Sequence, residues 1–216
     1  MPSKKTPASV DWGKAVQPLI KQYRGKKHPL EYGNRYQLLV AVVLSAQDSD
    51  KHINSLAPAF FKEFPSMKAL AKAKPQELHK LIGSVRNFAN KSKWLLQTAQ
   101  TVGKDENIPT TLEGLRELPG IGRKSANVIL RESGLPAEGV IVDLHVLRVA
   151  PRLGIAEGTN PEKIEKQLLE KIPKKDWGDI GMAMSFLGRE ICRPTNPNCS
   201  ACSMNKVCVY YASMKK

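Results

Sequence analysis

Apolar residues recur along this chain at the three- and four-residue spacing of helices, and no convincing run of strand-like alternation is present. The segment 36–46 is apolar nearly all round, which predicts a helix buried at the centre of a domain. A second helix is expected to follow, with Asp50 as its N-cap and with Ile53 and Phe60 on its buried face. The pattern therefore predicts an all-α protein.

Proline, glycine and capping residues mark further helix boundaries. Pro75 and Gly83 bound one predicted short helix, and Gly103 ends a longer helix that follows it. Thr110 begins a capping-box pattern, which predicts that another helix starts there. Asn160, followed by proline, is expected to cap a helix in the C-terminal part of the chain.

Charge narrows the possible partners. The 216 residues include 34 Lys and Arg against 20 Asp and Glu, which gives a formal net charge of +14. Such an excess attracts polyanions through phosphate neutralisation, so nucleic acid is the first partner to consider. No apolar run is long enough to span a membrane, and residues 1–10 lead into no apolar segment of a secretory leader. We therefore expect an intracellular protein.

All four cysteines lie in one C-terminal stretch with the spacing C-x6-C-x2-C-x5-C, namely Cys192, Cys199, Cys202 and Cys208. Disulfides usually join distant parts of small secreted domains, so two short-range bridges are not expected. Zinc sites built from four thiolates usually show two closely spaced pairs, whereas only Cys199 and Cys202 form one here. The open spacing favours a [4Fe-4S] cluster, with tetrahedral zinc and free thiols as the alternatives.

Residues 118–127 contain a glycine-rich turn between two predicted helices. Gly120 and Gly122 permit a tight turn with close approach of the backbone, and Arg123 and Lys124 follow them. A turn of this kind presents backbone N–H groups at a helix N-terminus, where they bind a DNA phosphate without reading sequence. An ordinary helix connection is the alternative, but the flanking basic residues favour phosphate binding.

Lys124 and Asp143 are the candidate chemical groups. Lys124 falls in the first turn of a predicted helix, where the helix dipole disfavours positive charge, and an uncharged lysine amine can form a Schiff base. A solvated lysine or a phosphate contact explains that position equally well. Asp143 is predicted to be an N-cap and is also suited to stabilise positive charge on a sugar. His145 is expected to be packed or hydrogen-bonded rather than catalytic.

Taken together, residues 118–127, residues 142–145 and the four cysteines resemble the endonuclease III family of helix-hairpin-helix DNA glycosylases with an iron–sulfur cluster. The resemblance covers residues 36–208. It implies excision of oxidised pyrimidines from duplex DNA, followed by β-elimination at the abasic site. In the matching motif positions Lys124 is the nucleophile, acting through a Schiff base, and Asp143 is the essential carboxylate. Because the related adenine-specific mismatch glycosylases lack this lysine, Lys124 indicates the bifunctional branch.

The resemblance also implies a two-lobed architecture and a set of DNA contacts. A six-helix domain is expected over residues 29–136, and a [4Fe-4S] cluster domain over residues 1–28 and 137–216. The protein is expected to be a monomer that binds double-stranded DNA with damaged bases or abasic sites, inside the cell and, if the source is bacterial, in the cytoplasm or nucleoid. Gln47 would fill the gap left by the extruded base. The predicted DNA-binding residues are Gln47, Asn87, Gly120, Gly122, Arg123 and Arg193.

Three departures from the family's pattern bear on the substrate. Asp48 stands where alanine is common, and its charge would repel phosphate unless it caps a helix. Residues 85–88 replace a glycine followed by an apolar residue, so the side chain that enters the duplex is undetermined. The loop 192–199 has only Arg193 as a basic residue. A glycosylase with another lesion preference therefore remains an alternative.

Two functions of other classes account for part of the pattern. A non-catalytic iron–sulfur DNA-binding module explains the charge, the hairpin and the cysteines, but gives no reason for Lys124 and Asp143. An electron-transfer protein explains the cysteines alone.

Overall fold

The computed structural model describes residues 10–214, and within them every regular element is helical, which confirms the all-α prediction. The N-terminal part of the predicted cluster domain, residues 1–9, lies outside the described residues, as do residues 215–216. The helices are α1 (Trp12–Ala15), α2 (Gln17–Tyr23), α3 (Arg35–Ser45), α4 (Asp50–Glu63), α5 (Met67–Leu70), α6 (Pro75–Ile82), α7 (Phe88–Val102), α8 (Leu112–Arg116), α9 (Arg123–Glu132), α10 (Leu144–Leu153), α11 (Pro161–Lys171), α12 (Trp177–Glu190) and α13 (Val209–Met214). Short 3-10 turns lie at Asp105–Asn107, Lys174–Asp176 and Cys199–Ala201.

Contacts between residues divide the chain into two compact units. The continuous unit consists of Lys27–Glu138 and contains α3 to α9. The discontinuous unit combines Met1–Lys26 with Gly139–Lys216 and contains α1, α2 and α10 to α13.

Helix α3 forms the centre of the continuous unit. Eight of its eleven residues are buried, and it packs against α4, α7 and α9. This position follows from its sequence, because a helix that is apolar on every side can bury all of them only when other helices surround it.

A buried lysine binds the C-terminal end of α3. The last carbonyl groups of a helix have no intrahelical donor and need another partner. Nζ of Lys91, on α7, donates to the carbonyl oxygens of Leu44 and Ala46, both at 2.7 Å. Burial lowers the pKa of the Lys91 ammonium. The two short bonds therefore join α7 to the point where the chain leaves α3.

Two predicted helix starts were wrong by one residue. The N-cap of α4 is Ser49, whose Oγ accepts from the backbone N–H of His52 at 3.2 Å, and Asp50 is the first helical residue. The N-cap of α8 is Thr111, whose Oγ1 accepts from Gly114 at 3.2 Å, rather than Thr110. In both cases two adjacent residues are of types that cap helices well, so the sequence did not discriminate between them.

Helix α12 is the most buried helix of the discontinuous unit, and it packs against α10 and α2. A glycine permits its closest approach to the rest of the unit. A Cβ atom at Gly181 would lie 2.5 Å from the carbonyl oxygen of Ile141, so no larger residue fits without a shift of the backbone. The buried segment 140–142 is thereby fixed against α12, directly before Asp143.

Within residues 10–214, no helix has both the length and the apolar character needed to cross a membrane.

Candidate functional site

The glycine-rich turn connects α8 to α9 as a hairpin. Leu118 and Ile121 are buried beneath it, and the backbone N–H of Ile121 donates to the carbonyl of Leu118 at 3.2 Å. Gly120 has a φ of 80°, and a Cβ atom there would lie 2.7 Å from Cε3 of Trp94. Gly120 therefore meets two separate requirements, a left-handed backbone and contact with an aromatic ring. Gly122 has an ordinary φ of −84° and open space around its Cα.

Lys124 is the second residue of α9 and is exposed. Gly122 is the N-cap of this helix, so no capping side chain covers its first turn. The rest of the helix is anchored by a buried stretch, residues 126–130. N–H groups in the first turn of a helix have no intrahelical acceptor, and with the helix dipole they favour an anion. Lys124 and Arg123 thus lie at a surface suited to a phosphate group.

Asp143 is the N-cap of α10, as predicted, and three donors orient its carboxylate. Oδ1 accepts from the backbone N–H groups of His145 and Val146, both at 2.9 Å. Oδ2 accepts from Oγ of Ser185, on α12, at 2.6 Å. A carboxylate oxygen has two lone pairs. Oδ1 is therefore fully used, whereas Oδ2 has capacity for one further donor or for a developing positive charge.

His145 is hydrogen-bonded, as expected. Its Nδ1 lies 3.2 Å from Nη2 of Arg148. The same guanidinium donates from Nη2 to the carbonyl of Gly188 at 2.8 Å and from Nε to that of Cys192 at 3.0 Å. Arg148 therefore links α10 to the C-terminal end of α12 and to the first cysteine. Neither Arg148 nor Ser185 was predicted from the sequence, because their partners are distant along the chain.

Three residues other than glycine have a left-handed φ within residues 10–214, and all three lie in segments predicted to contact DNA. They are Gln47 at 60°, Asn87 at 59° and Asn196 at 47°. Asparagine tolerates this conformation, whereas for glutamine it is unusual. Gln47 and Asn87 are both exposed. Backbone strain of this kind is concentrated at binding and catalytic sites, so it supports a functional role for these segments.

Asp48 connects the Gln47 segment to the Asn87 segment. Its Oδ1 lies 2.8 Å from Nδ1 of His52 and accepts from the backbone N–H of Ser49 at 2.8 Å. Its Oδ2 accepts from the backbone N–H of Arg86 at 3.1 Å. Nε2 of His52 lies 3.0 Å from Oγ of Ser84.

Asp48 is therefore engaged with the protein, although it is not the helix cap that would offset its repulsion of phosphate. Partial burial by itself would raise the pKa of the Asp48 carboxyl, but the hydrogen bonds that it accepts outweigh burial and lower the pKa below its usual value. The carboxylate is consequently ionised at neutral pH.

The four cysteines line one cavity in the discontinuous unit. None of the four forms a disulfide, and all four are half-buried. The cavity encloses about 330 Å³, part of it open to solvent, and Leu153, Leu187 and Ile191 form apolar parts of its wall. Among residues 10–214 no three His, Cys, Asp or Glu side chains are grouped as ligands of a single metal ion. The four thiols instead share the lining of this cavity.

Arg152 binds the loop between the first two cysteines. Its Nη1 donates to the carbonyl of Arg193 at 2.7 Å and lies 3.5 Å from Sγ of Cys192. Its Nη2 donates to the carbonyl of Pro194 at 3.0 Å, and its guanidinium lies over the Tyr210 ring at 4.6 Å. The backbone of this loop is therefore fixed, while the Arg193 side chain is exposed.

Known proteins resemble this chain over most of its length. The HhH-GPD superfamily of base excision DNA repair proteins matches residues 40–174. Endonuclease III of Synechocystis sp. is 38% identical over 192 residues, which cover 88% of this chain and 88% of that protein. The chain belongs to the endonuclease III family. Endonuclease III of Thermotoga maritima is 33% identical over 178 residues, covering 82% of this chain and 83% of that protein.

A solved structure of endonuclease III, described as a trapped covalent intermediate with DNA in an estranged-adenine complex, has the same fold. It matches with a TM-score of 0.82 and 29% identity, and the match covers 94% of this chain and 96% of that one. The resemblance inferred from the motifs is thus confirmed.

The predicted site residues divide between the two units. Gln47, Asn87 and Lys124 belong to the continuous unit, and Asp143 and the cysteines belong to the discontinuous unit. Within the continuous unit, Asp48 joins the Gln47 and Asn87 segments. Within the discontinuous unit, Arg148 and Arg152 join α10 to the first cysteine.

Proposed function

We propose that this protein is a bifunctional DNA glycosylase and abasic-site lyase of base excision repair, acting on oxidised pyrimidines in duplex DNA. The observation that carries the proposal is an exposed lysine in the first turn of the helix that follows the glycine-rich hairpin. The relative trapped as a covalent intermediate with DNA supports a reaction that passes through a bond between protein and DNA. The net charge of +14 suits a polyanionic substrate.

Lys124 is the proposed nucleophile. Once the damaged nucleotide leaves the base stack, Nζ forms a bond to C1′ while the glycosidic C–N bond breaks. The base leaves with the bonding electrons and takes up a proton. The C1′–O4′ bond then opens to give an imine between Nζ and C1′. Loss of a C2′ proton breaks the C3′–O bond and releases the 3′ phosphate, and water finally hydrolyses the imine.

Asp143 is the proposed carboxylate of this reaction. It either accepts the proton that Lys124 must lose or stabilises the positive charge that develops on the sugar as the base departs. Its Oδ2 retains one lone pair beyond the Ser185 hydrogen bond, and this lone pair is the part of the group suited to either role. We expect Asp143→Asn to bind DNA like the wild type and to lose most base release.

The cysteine cavity is the proposed site of a [4Fe-4S] cluster, held by Cys192, Cys199, Cys202 and Cys208. Four half-buried thiols around one cavity are the donor set for this cluster, in which each thiolate binds a different iron. When bound, the cluster would cross-link the loop 192–199 to the helices, a structural contribution outside the excision itself. We accordingly assign the discontinuous unit as the cluster domain and the continuous unit as the hairpin domain.

Optical absorbance and iron analysis test the cluster. A brown protein that absorbs near ~400 nm and contains about four irons per chain is expected. Cys202→Ser should lower the iron content, whereas a colourless protein that contains one zinc per chain would contradict the assignment.

Borohydride trapping tests the nucleophile. The wild-type protein, mixed with an abasic duplex and borohydride, should form a covalent adduct, and Lys124→Ala should form none. Lys163 provides a matched control, because it is also an exposed lysine in the first turn of a helix, α11. Lys163→Ala should trap like the wild type. Lack of an adduct with the wild-type protein, together with salt-sensitive duplex binding, would indicate a non-catalytic DNA-binding module instead.

Turnover on a panel of lesions tests the substrate. Duplexes that carry oxidised pyrimidines should lose the damaged base faster than duplexes with oxidised or alkylated purines. Faster release of a purine lesion would contradict the proposed specificity for pyrimidines but would not contradict the proposed mechanism. A chromosomal DNA substrate would place this activity inside the cell, at the nucleoid if the host is bacterial.

A further inference from the structure

Two exposed loops of the continuous unit are joined by a closed ring of contacts. The Asp48 carboxylate contacts one nitrogen of the His52 ring, and the other nitrogen contacts Ser84. The chain then runs two residues to Arg86, whose backbone N–H donates back to Asp48. We call these four residues the Asp48 ring. It contains the residue after Gln47 and the residue before Asn87.

A second connection between the same two segments runs through a buried lysine of α7. Lys91 lies on α7, one turn after Asn87, and its ammonium binds the carbonyls of Leu44 and Ala46, directly before Gln47. Nδ2 of Asn90 also donates to Oδ1 of Asn87 at 2.8 Å. Contacts from the other segment or from α7 therefore reach the residues on both sides of Gln47, and the residue before Asn87 and the Asn87 side chain itself.

The negative charge of Asp48 should oppose DNA binding, so its presence calls for a compensating structural role. A carboxylate near a DNA-binding surface repels phosphate, and this one is ionised because its hydrogen bonds lower its pKa. Its side chain is only 12% exposed, and its oxygens accept from donors of both segments. Strained left-handed residues persist only where surrounding contacts determine them, and the Asp48 ring supplies such contacts on both loops.

We propose that Asp48 is a positioning residue that fixes Gln47 and Asn87 in one preformed arrangement, so that both side chains enter the duplex together when a nucleotide leaves it. The proposal rests on the glycosylase function given above and adds to it the device that prepares the gap-filling side chains. Preorganisation of this kind reduces the ordering cost of binding a distorted duplex, and therefore raises specific over non-specific affinity.

The test is the ratio of two affinities, measured on the full chain at one salt concentration. One duplex carries a tetrahydrofuran abasic analogue, which the enzyme cannot cleave, and the other is undamaged. Asp48→Asn removes one acceptor oxygen and Asp48→Ala removes both, so each should lower the ratio by about tenfold, which corresponds to roughly 1.4 kcal/mol of binding free energy. Glu63→Gln removes a carboxylate from an exposed site of the same unit and should leave the ratio unchanged.

A comparison in a second background separates positioning from general stability. In Gln47→Ala/Asn87→Ala protein, Asp48→Asn should change the ratio by less than about twofold, because the side chains through which it acts are absent. His52→Phe breaks the Asp48 ring without removing the carboxylate and should also lower the ratio in otherwise wild-type protein. It serves as the test if the Asp48 variants do not fold.

An unchanged ratio in folded Asp48→Asn, or an equal loss with and without Gln47 and Asn87, would overturn the proposal. Borohydride trapping on a preformed abasic duplex distinguishes this failure from failure of the proposed function. If the wild type forms the adduct but the Asp48 variants have the wild-type affinity ratio, only the positioning role is refuted. If the wild type forms no adduct, the enzymatic function itself is wrong.

Discussion

Oγ of Ser185 donates a 2.6 Å hydrogen bond to Oδ2 of Asp143, across 42 positions of sequence. Ser185 is buried on α12, and Asp143 begins α10. Since the backbone donors bind only Oδ1, the serine hydroxyl orients the second oxygen of the carboxylate. The orientation of the Asp143 carboxylate therefore depends on a residue of another helix.

Ser185→Ala should slow base release without weakening DNA binding. A hydrogen bond to a charged group contributes about 1.5–3 kcal/mol, so a loss of roughly tenfold in the single-turnover rate constant is expected. Ser92→Ala is a matched control, because Ser92 is also a buried helical serine but donates to the backbone carbonyl of Phe88. Equal rates for the two variants would mean that Ser185 does not orient the carboxylate.

The two hairpin glycines should respond differently to alanine. Gly120→Ala places a Cβ on the Trp94 ring at a left-handed φ, so the free energy of unfolding should fall by about 1–3 kcal/mol. Gly122→Ala should cost less than about 1 kcal/mol, since only N-cap preference changes, yet it should weaken duplex binding because its Cβ occupies the approach of a phosphate. Thermal unfolding and binding measured on both variants check this; equal stability of the two would contradict it.

Lys91→Met should destabilise the protein. The change leaves the Leu44 and Ala46 carbonyls without the donor that now binds them, which we expect to cost about 2 kcal/mol in the free energy of unfolding. Lys93→Met, at an exposed position of the same helix, should change it by less than about 0.5 kcal/mol. Urea denaturation of both variants provides the comparison, and a Lys91→Met protein as stable as Lys93→Met would refute the role.

Arg152→Met and Arg193→Met should separate loop order from DNA contact. Arg152 binds the carbonyls of Arg193 and Pro194, so its loss should accelerate amide hydrogen exchange in the loop 192–199 by about tenfold, for a loss of roughly 1.4 kcal/mol. Arg193→Met retains those backbone contacts and should weaken duplex binding at low salt with little change in exchange. Similar exchange in the two variants would show that Arg152 does not order the loop.

Much of the fold follows from local sequence signals. The buried α3, the Pro75 start of α6, the Gly103 end of α7 and the N-cap role of Asp143 were all predicted from periodicity and capping chemistry. The hairpin was predicted as well, because glycine and proline restrict its backbone. The errors at Ser49 and Thr111 arose where two neighbouring residues have nearly equal capping preference.

The contacts that orient the candidate groups were not predictable in the same way. Ser185, Lys91 and Arg152 bind partners that are distant in sequence, and nothing in their own neighbourhood distinguishes them from ordinary helical residues. Asp48 was noticed only as an unexpected charge. Its contact with His52, and the contact of His52 with Ser84, became evident from the folded chain, since side-chain networks depend on tertiary packing rather than on local propensity.

The Asp48 ring also limits which single substitutions at its positions are tolerated. Aspartate at this position without His52 and Ser84 would be a carboxylate with fewer partners at a surface predicted to contact DNA. Removal of Asp48 would leave His52 and the backbone N–H groups of Ser49 and Arg86 without this acceptor. Single mutational steps into or out of the arrangement are therefore disfavoured. Related chains are therefore expected to carry or to lack Asp48, His52 and Ser84 together.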